Sequence, residues 1–149
     1  MTLEEEIKQN KFKNNHIKAG VNILFTASYI TNYQSKIFRK FGLTAPQFNV
    51  LRILRGQLPN PATINLIIER MLDKSSNASR IVEKLRIKNQ IERIQCPEDR
   101  RAVNVKITDQ GLEVLKKLDE LEADFFGGLN KLNEEELNIL NNLLNKTRL

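Results

Sequence analysis

QCPEDRRAVNVKITDQG, residues 95–111, changes pattern twice. Two acids, Glu98 and Asp99, stand ahead of two adjacent arginines, Arg100 and Arg101. From Ala102 to Thr108 apolar and polar residues alternate with strand period, and Val103, Val105 and Ile107 share one face. Thr108 can cap a helix, and Asp109 falls in its first turn, where the helix dipole favours a negative charge. Residues 91–96 (IERIQC) read as a second strand, and Pro97 to Arg100 carry turn chemistry. The stretch therefore predicts a β-hairpin with an arginine-bearing tip, running straight into a helix.

Upstream of the hairpin, residues 75–88 predict a helix with two unlike faces. Ala78, Ile81, Val82 and Leu85 fall at i, i+3, i+4 and i+7, a buried stripe. Ser76, Asn77, Ser79, Arg80, Glu83 and Lys84 are left for the other side. Ser75 is the expected cap, and Asp73 and Lys74 make a tight turn after a helix that Thr63 caps and that runs to about Leu72. Residues 57–62, with Pro59 and Pro61, read as a loop. Thr44, Pro46 and Gln47 mark a capping-box start, and Phe48, Val50, Leu51, Ile53 and Leu54 carry that helix to about Gly56.

The flanks are helical too. Residues 17–41 hold a long pattern ending at Gly42, a C-terminal cap. Ile23, Ile30 and Ile37 form one stripe, and Val21, Leu24, Phe25 and Phe38 another, so this helix has two surfaces to bury, one of them against a partner chain. Residues 3–14 are polar and read as a frayed helix or arm. After Thr108 the stripe Leu112, Leu115, Leu118, Leu121 or Glu122, and Phe125 predicts a helix broken at Gly127 and Gly128. Asn133 and Glu136 open a last one, carrying Leu137, Leu140, Leu143 and Leu144.

Composition narrows the function. The 149 residues suit one domain, or one domain with dimerising extensions; 40% are hydrophobic and 28% charged. No apolar run approaches the roughly 18 residues of a membrane span, and the N-terminus lacks the apolar core of a secretion signal. The single cysteine, Cys96, fits a reducing cytoplasm. Net charge is +6, but residues 70–106 carry ten basic against five acidic residues while residues 107–149 carry five against nine. On charge alone, that basic density suits a polyanion partner and ordinary solvated helix faces about equally. Enzyme chemistry is not expected: His16 is the only histidine, no Cys/His cluster has zinc spacing, and no glycine-rich phosphate loop is present. No catalytic residue, metal or cofactor is assigned.

Helix, tight turn, polar-faced helix and basic-tipped hairpin are laid out as in a winged helix-turn-helix, whose second helix enters the major groove with its early residues at base edges. An arginine at the hairpin tip suits the negative potential of a narrow minor groove. The fold class expected is mainly α, with a small hairpin wing and dimerisation helices at both ends. LTAPQFNVLRIL, SSNASRIVEKL and IERIQCPEDRRAVNVKITDQG together resemble the MarR family of bacterial transcriptional regulators, the D-R-R followed by V-x-V-x-I-T-x-x-G being the most diagnostic piece. The resemblance implies a homodimer with interlocked terminal helices, two winged modules on pseudo-palindromic duplex DNA, and repression often relieved by a small ligand. It sets residues 1–42 as an N-terminal dimerisation region, 43–108 as the DNA-binding domain and 109–149 as C-terminal dimerisation helices.

The candidate DNA contacts are Lys74, Ser75, Ser76, Asn77, Ser79, Arg80, Lys84, Arg100 and Arg101. Of these, Ser76, Asn77 and Arg80 have residue types that meet bases or phosphates, and Lys74, Ser75 and Lys84 suit phosphates. Tyr29 and Tyr33, one helical turn apart, are candidates for an effector pocket, with core or interface packing the ordinary alternative. Many relatives have Lys-Gly after the recognition helix where this chain has Lys88 and Asn89; asparagine tolerates the left-handed conformation, so the fold is expected to survive. Peroxide-sensing relatives carry a cysteine in the first helix, and this chain has none there, so a redox role for Cys96 is not expected. The rival function is a winged helix used purely for protein–protein contact. For the wing, the family pattern implies one structural Asp–Arg pair and one minor-groove arginine. Arg100→Ala and Arg101→Ala should therefore differ: one mainly weakens DNA binding, the other also lowers stability. Binding titrations and melting curves on both variants check this, and equal, negligible effects contradict it.

Overall fold

Capping boxes open three of the helices. Thr2 and Glu5 close one, Thr44 and Gln47 a second, and Asn133 and Glu136 a third, each pair exchanging side-chain and backbone hydrogen bonds. The computed structural model describes residues 1–95 and 103–148. Along the chain come α1 (Leu3–Ile7), α2 (Asn15–Arg39), α3 (Ala45–Gln57), β1 (Ala62–Thr63), α4 (Ile64–Arg70), α5 (Ala78–Ile87), β2 (Ile91–Gln95), β3 (Val103–Ile107), α6 (Asp109–Asp119) and α7 (Glu134–Lys146). Short 3-10 turns at Glu122–Asp124 and Gly127–Lys131 bridge α6 and α7. The mainly helical class and the antiparallel hairpin strands agree with the sequence reading; the hairpin's tip, including Cys96, Arg100 and Arg101, lies outside the described residues.

The chain forms two compact units, residues 35–124 and residues 1–34 with 125 onward. The first holds nearly all of the core. Phe48, Val50, Leu51, Ile53 and Leu54 of α3 are buried with Ile67, Ala78, Val82, Leu85, Val105, Ile107, Leu115 and Leu118. Phe38 stacks on Phe48 with centroids 4.4 Å apart. Arg55 donates twice to the Asp119 carboxylate, at 2.6 and 3.1 Å, tying α3 to α6.

Residues 57–62 were expected to be loop throughout, yet Ala62 and Thr63 add a third strand. Ala62 pairs with Val105 and Thr63 with Asn104, giving the order β1-β3-β2. Two residues are too short for a periodic signal; burial decides the matter, since Ala62 is wholly inaccessible. In β2 and β3 the register runs from Ile91 opposite Ile107 to Gln95 opposite Val103. A second correction concerns α6, which ends at Asp119 instead of continuing to Gly127. Leu121 N–H donates to Leu118 and Asp124 N–H to Leu121, a tightened winding. Glu120, Glu122 and Asp124 explain it, because acids at the negative end of the helix dipole disfavour continuation.

The start of α6 is fixed by close contact. Thr108 accepts from Gly111 N–H at 3.2 Å, donates its hydroxyl to the Asn89 carbonyl at 2.7 Å, and donates its own N–H to the Gln90 carbonyl at 3.1 Å. Asn89 sits at φ 56°, the left-handed conformation expected of it. A Cβ on Gly111 would lie 2.3 Å from the Gln90 carbonyl oxygen, so only glycine fits.

The other unit is different in kind. Leu3 and Phe125 are its buried apolar side chains among the described residues. Glu4 pairs with Lys18 at 2.5 Å, which holds its carboxyl below the ordinary value. The residues read as an arm contain α1. α7 buries no side chain, although Leu137, Leu140 and Leu144 line one side and Ile139 and Leu143 stand exposed. In α2 only Phe38 is buried, and Leu24 is 73% exposed. No helix among the described residues is long and apolar enough to cross a membrane.

Gly111→Ala should lower stability by about 2 kcal/mol, because the added methyl meets backbone that cannot yield. Thermal melting checks it, and a melting temperature equal to that of the unaltered chain contradicts it.

Candidate nucleic-acid interface

The stretch between α4 and α5 is organised by one carboxylate. Asp73 accepts from Ser75 N–H at 2.9 Å, from the Ser75 hydroxyl at 2.6 Å and from the Ser76 hydroxyl at 2.9 Å. These donors, the Ser75 hydroxyl foremost, hold the Asp73 carboxyl below its ordinary value. Ser75 therefore does not cap the following helix, contrary to the sequence expectation. Asn77 does: its side-chain oxygen accepts from Arg80 N–H at 3.0 Å, and the helix begins at Ala78. The physical reason is position: Asp73 draws both serine hydroxyls back toward itself, ahead of the helix, and the Asn77 oxygen is the one that reaches the Arg80 N–H. The turn is also tied to α3 by Leu72 N–H donating to the Asn49 side chain at 2.9 Å.

α5 is amphipathic as expected. Ala78, Val82 and Leu85 are buried, and Ile81 is half-buried. Ser79, Arg80 and Lys84 are exposed on the outer side. The Lys74 ammonium is turned back onto the Ile68 carbonyl at 3.0 Å and onto the Glu69 carbonyl, covering the open carbonyls at the end of α4. A cation there meets the negative end of the helix dipole.

One acid stands on the outer side of α5, and it is neutralised twice. Glu83 accepts from Arg86 at 2.7 Å and from Arg93 of β2 at 2.8 Å. The Arg86 hydrogen bond is the chief reason its carboxyl lies below the ordinary value. Sequence reading did not single out Arg86 or Arg93. The i, i+3 spacing of Glu83 and Arg86 was visible, but Arg93 joins them only once β2 is folded beside α5. Tyr29 and Tyr33 stack at 6.4 Å between centroids. Tyr29 lines a cleft of about 400 Å³ with Leu3, Glu6, Asn22, Phe25 and Thr26, and Tyr33 is not one of its lining residues.

This helix–turn–helix with its adjoining antiparallel strands coincides with a family match: residues 43–103 fit the sequence model of the MarR family. These residues form a MarR-family winged-helix module, the kind found in transcription regulators. The chain is 27% identical over 114 residues, 76% of each chain, to the HTH-type transcriptional regulator MgrA of Staphylococcus aureus. Among solved structures it resembles a mutant MarR from E. coli complexed with operator DNA, with a TM-score of 0.77 and 24% identity over 93% of this chain and 99% of that one. It also resembles BpsR of Bordetella bronchiseptica, whose DNA binding is regulated by 6-hydroxynicotinic acid, with a TM-score of 0.69 and 22% identity over 88% and 98%. MarR-family proteins are transcription regulators, not enzymes. No group of His, Cys, Asp or Glu among the described residues could hold a metal ion.

Asp73 carries a pH signature for this MarR-family turn. Its carboxyl is held below the unfolded value, so its support is fully present above the ordinary carboxylate range and disappears as pH falls through the depressed value. Asp73→Ala should therefore be less stable than the unaltered chain at neutral pH, the gap closing in acid. Denaturant titrations of both proteins from pH 7 down to about 3 test it; a gap that stays constant with pH contradicts it.

Proposed function

We propose that the chain acts as a homodimer, a sequence-specific repressor in the cytoplasm that binds a pseudo-palindromic operator and is released by a small-molecule effector. The observation that carries DNA reading is the outer side of α5. Its inner side is locked into the core, while Ser79, Arg80 and Lys84 stand exposed beyond the Asn77 cap. In a winged helix these early positions meet base edges and the flanking phosphates. Asn77 keeps its side-chain N–H₂ for a base, because only its oxygen serves the cap. Lys74 and Ser75 are spent largely on the turn, and their part is to hold α5 in place. Of Arg100 and Arg101, one supplies the wing contact and the other serves the structural Asp–Arg pair.

Dimerisation is supported by the terminal helices. α7 buries nothing and α2 leaves Leu24 in water, surfaces that a second copy would cover. In this reading residues 1–42 and 109–149 form the dimer and residues 43–108 read DNA. Two recognition helices then meet half-sites about 34 Å apart, roughly one helical turn. An effector that changes this separation weakens binding without touching either helix. Operator binding by the E. coli relative and the ligand regulation of BpsR support the same assignment. Tyr29 and Tyr33 on α2 are the proposed effector-facing residues.

Selection of bound duplexes from random DNA at two salt concentrations tests this. An enriched inverted repeat, with affinity falling steeply as salt rises, is the expected result. Weak, salt-insensitive binding without enrichment would mean that the module serves a protein partner instead.

A further inference from the structure

The outer side of α5 does not end at Lys84. Ile87, 67% exposed, and Lys88 continue it, and there α5 borders a groove of about 440 Å³ lined by Arg39, Gly42, Leu43, Thr44, Gln47, Lys84, Ile87 and Lys88. Three cations from two separate elements, the end of α2 and the end of α5, converge on it, and none of these lining residues is acidic. Arg39 and Lys84 are exposed and make no ion pair among the described residues. Lys88 is positioned: its ammonium donates to the Gly42 carbonyl and, at 3.2 Å, to the Gln47 side chain. One of its three N–H bonds remains for an anion.

Geometry selects the anion. α5 has ten residues, hence a length of about 15 Å at 1.5 Å per residue, against a major groove about 12 Å wide. A helix that crosses the groove with its first residues at base edges reaches the sugar–phosphate rim within its last turn, where Lys84 and Ile87 lie. We propose that Arg39, Lys84 and Lys88 clamp a DNA backbone phosphate at that rim, with exposed Ile87 packing beside the sugar. This rests on the DNA reading above and extends the interface to α2, which sequence analysis left outside it. The clamp carries charge and no base-reading group, so it strengthens binding equally for all sequences.

The test uses the full chain and the duplex enriched by the selection. Arg39→Ala should weaken binding and lower the slope of log K against log salt by about 0.9 for each clamp engaged. Arg39→Lys should keep the slope, both variants should melt with the unaltered chain, and the ranking of mismatched duplexes should not change. An unchanged slope in Arg39→Ala overturns the proposal, and so does an altered ranking. Inorganic phosphate, compared with chloride at matched ionic strength, gives another arm. A rise in melting temperature that Arg39→Ala abolishes would make the groove a site for a free anion and overturn the clamp. If the unaltered chain shows no salt-dependent duplex binding, the DNA reading itself fails, a result separable from failure of the clamp alone.

Discussion

The three hydrogen bonds of Thr108 and the missing side chain of Gly111 set the geometry on which the DNA-reading unit depends. Within three residues the chain must leave α5, reverse through Asn89 and enter β2. It must later return from β3 into α6 at nearly the same point. The Asn89 and Gln90 carbonyls, left over from the first passage, accept the hydroxyl and N–H of Thr108 in the second. Gly111 permits the approach because any Cβ would meet the Gln90 oxygen at 2.3 Å. The recognition helix, the hairpin and α6 thus share one joint made of backbone. That is why T-x-x-G follows the last strand, and why the motif is informative about fold more than about chemistry.

The turn ahead of α5 solves a second problem, starting a helix whose outer side must stay free. Asp73 absorbs the donors of Ser75 and Ser76, Lys74 covers the carbonyls of α4, and Asn77 caps α5. Most of the polar residues in this short stretch therefore work inward, on backbone and on each other. Those facing outward are Ser79, Arg80 and Lys84. A polar cluster beside a helix start is easily taken as a row of ligand contacts; here it is mostly scaffolding behind three outward-facing residues.

What could be read in the sequence follows from what is local. The Thr44–Gln47 capping box, the buried stripe of α5, the left-handed Asn89 and the pairing of β2 with β3 all depend on neighbours no more than sixteen positions away, and all were legible. The cap of α5 was not, because Ser75, Ser76 and Asn77 are all good caps and a carboxylate nearby decided among them. β1 escaped because two residues have no period and gain their place by pairing with β3, more than forty positions away. The early end of α6 lay in plain view, in acids at the wrong end of a dipole, but the leucine stripe spoke louder. Of the candidate site, residue types were legible and their occupation was not: Arg93 reaches Glu83 only through the folded sheet, and Arg39 joins Lys84 only where α2 meets the end of α5.

The Glu83 pairings have a mechanical meaning. Arg86 and Arg93 hold one carboxylate from α5 and from β2, so the helix and the first strand of the hairpin are linked at Glu83. On the proposed DNA reading, that link favours α5 and β2 adjusting together to an imperfect site. Further compliance comes from the duplex, through its bending and groove width. On the same reading, base steps that the protein never touches contribute to how tightly a site is held, and two operators with identical contacted bases differ in occupancy through stiffness alone.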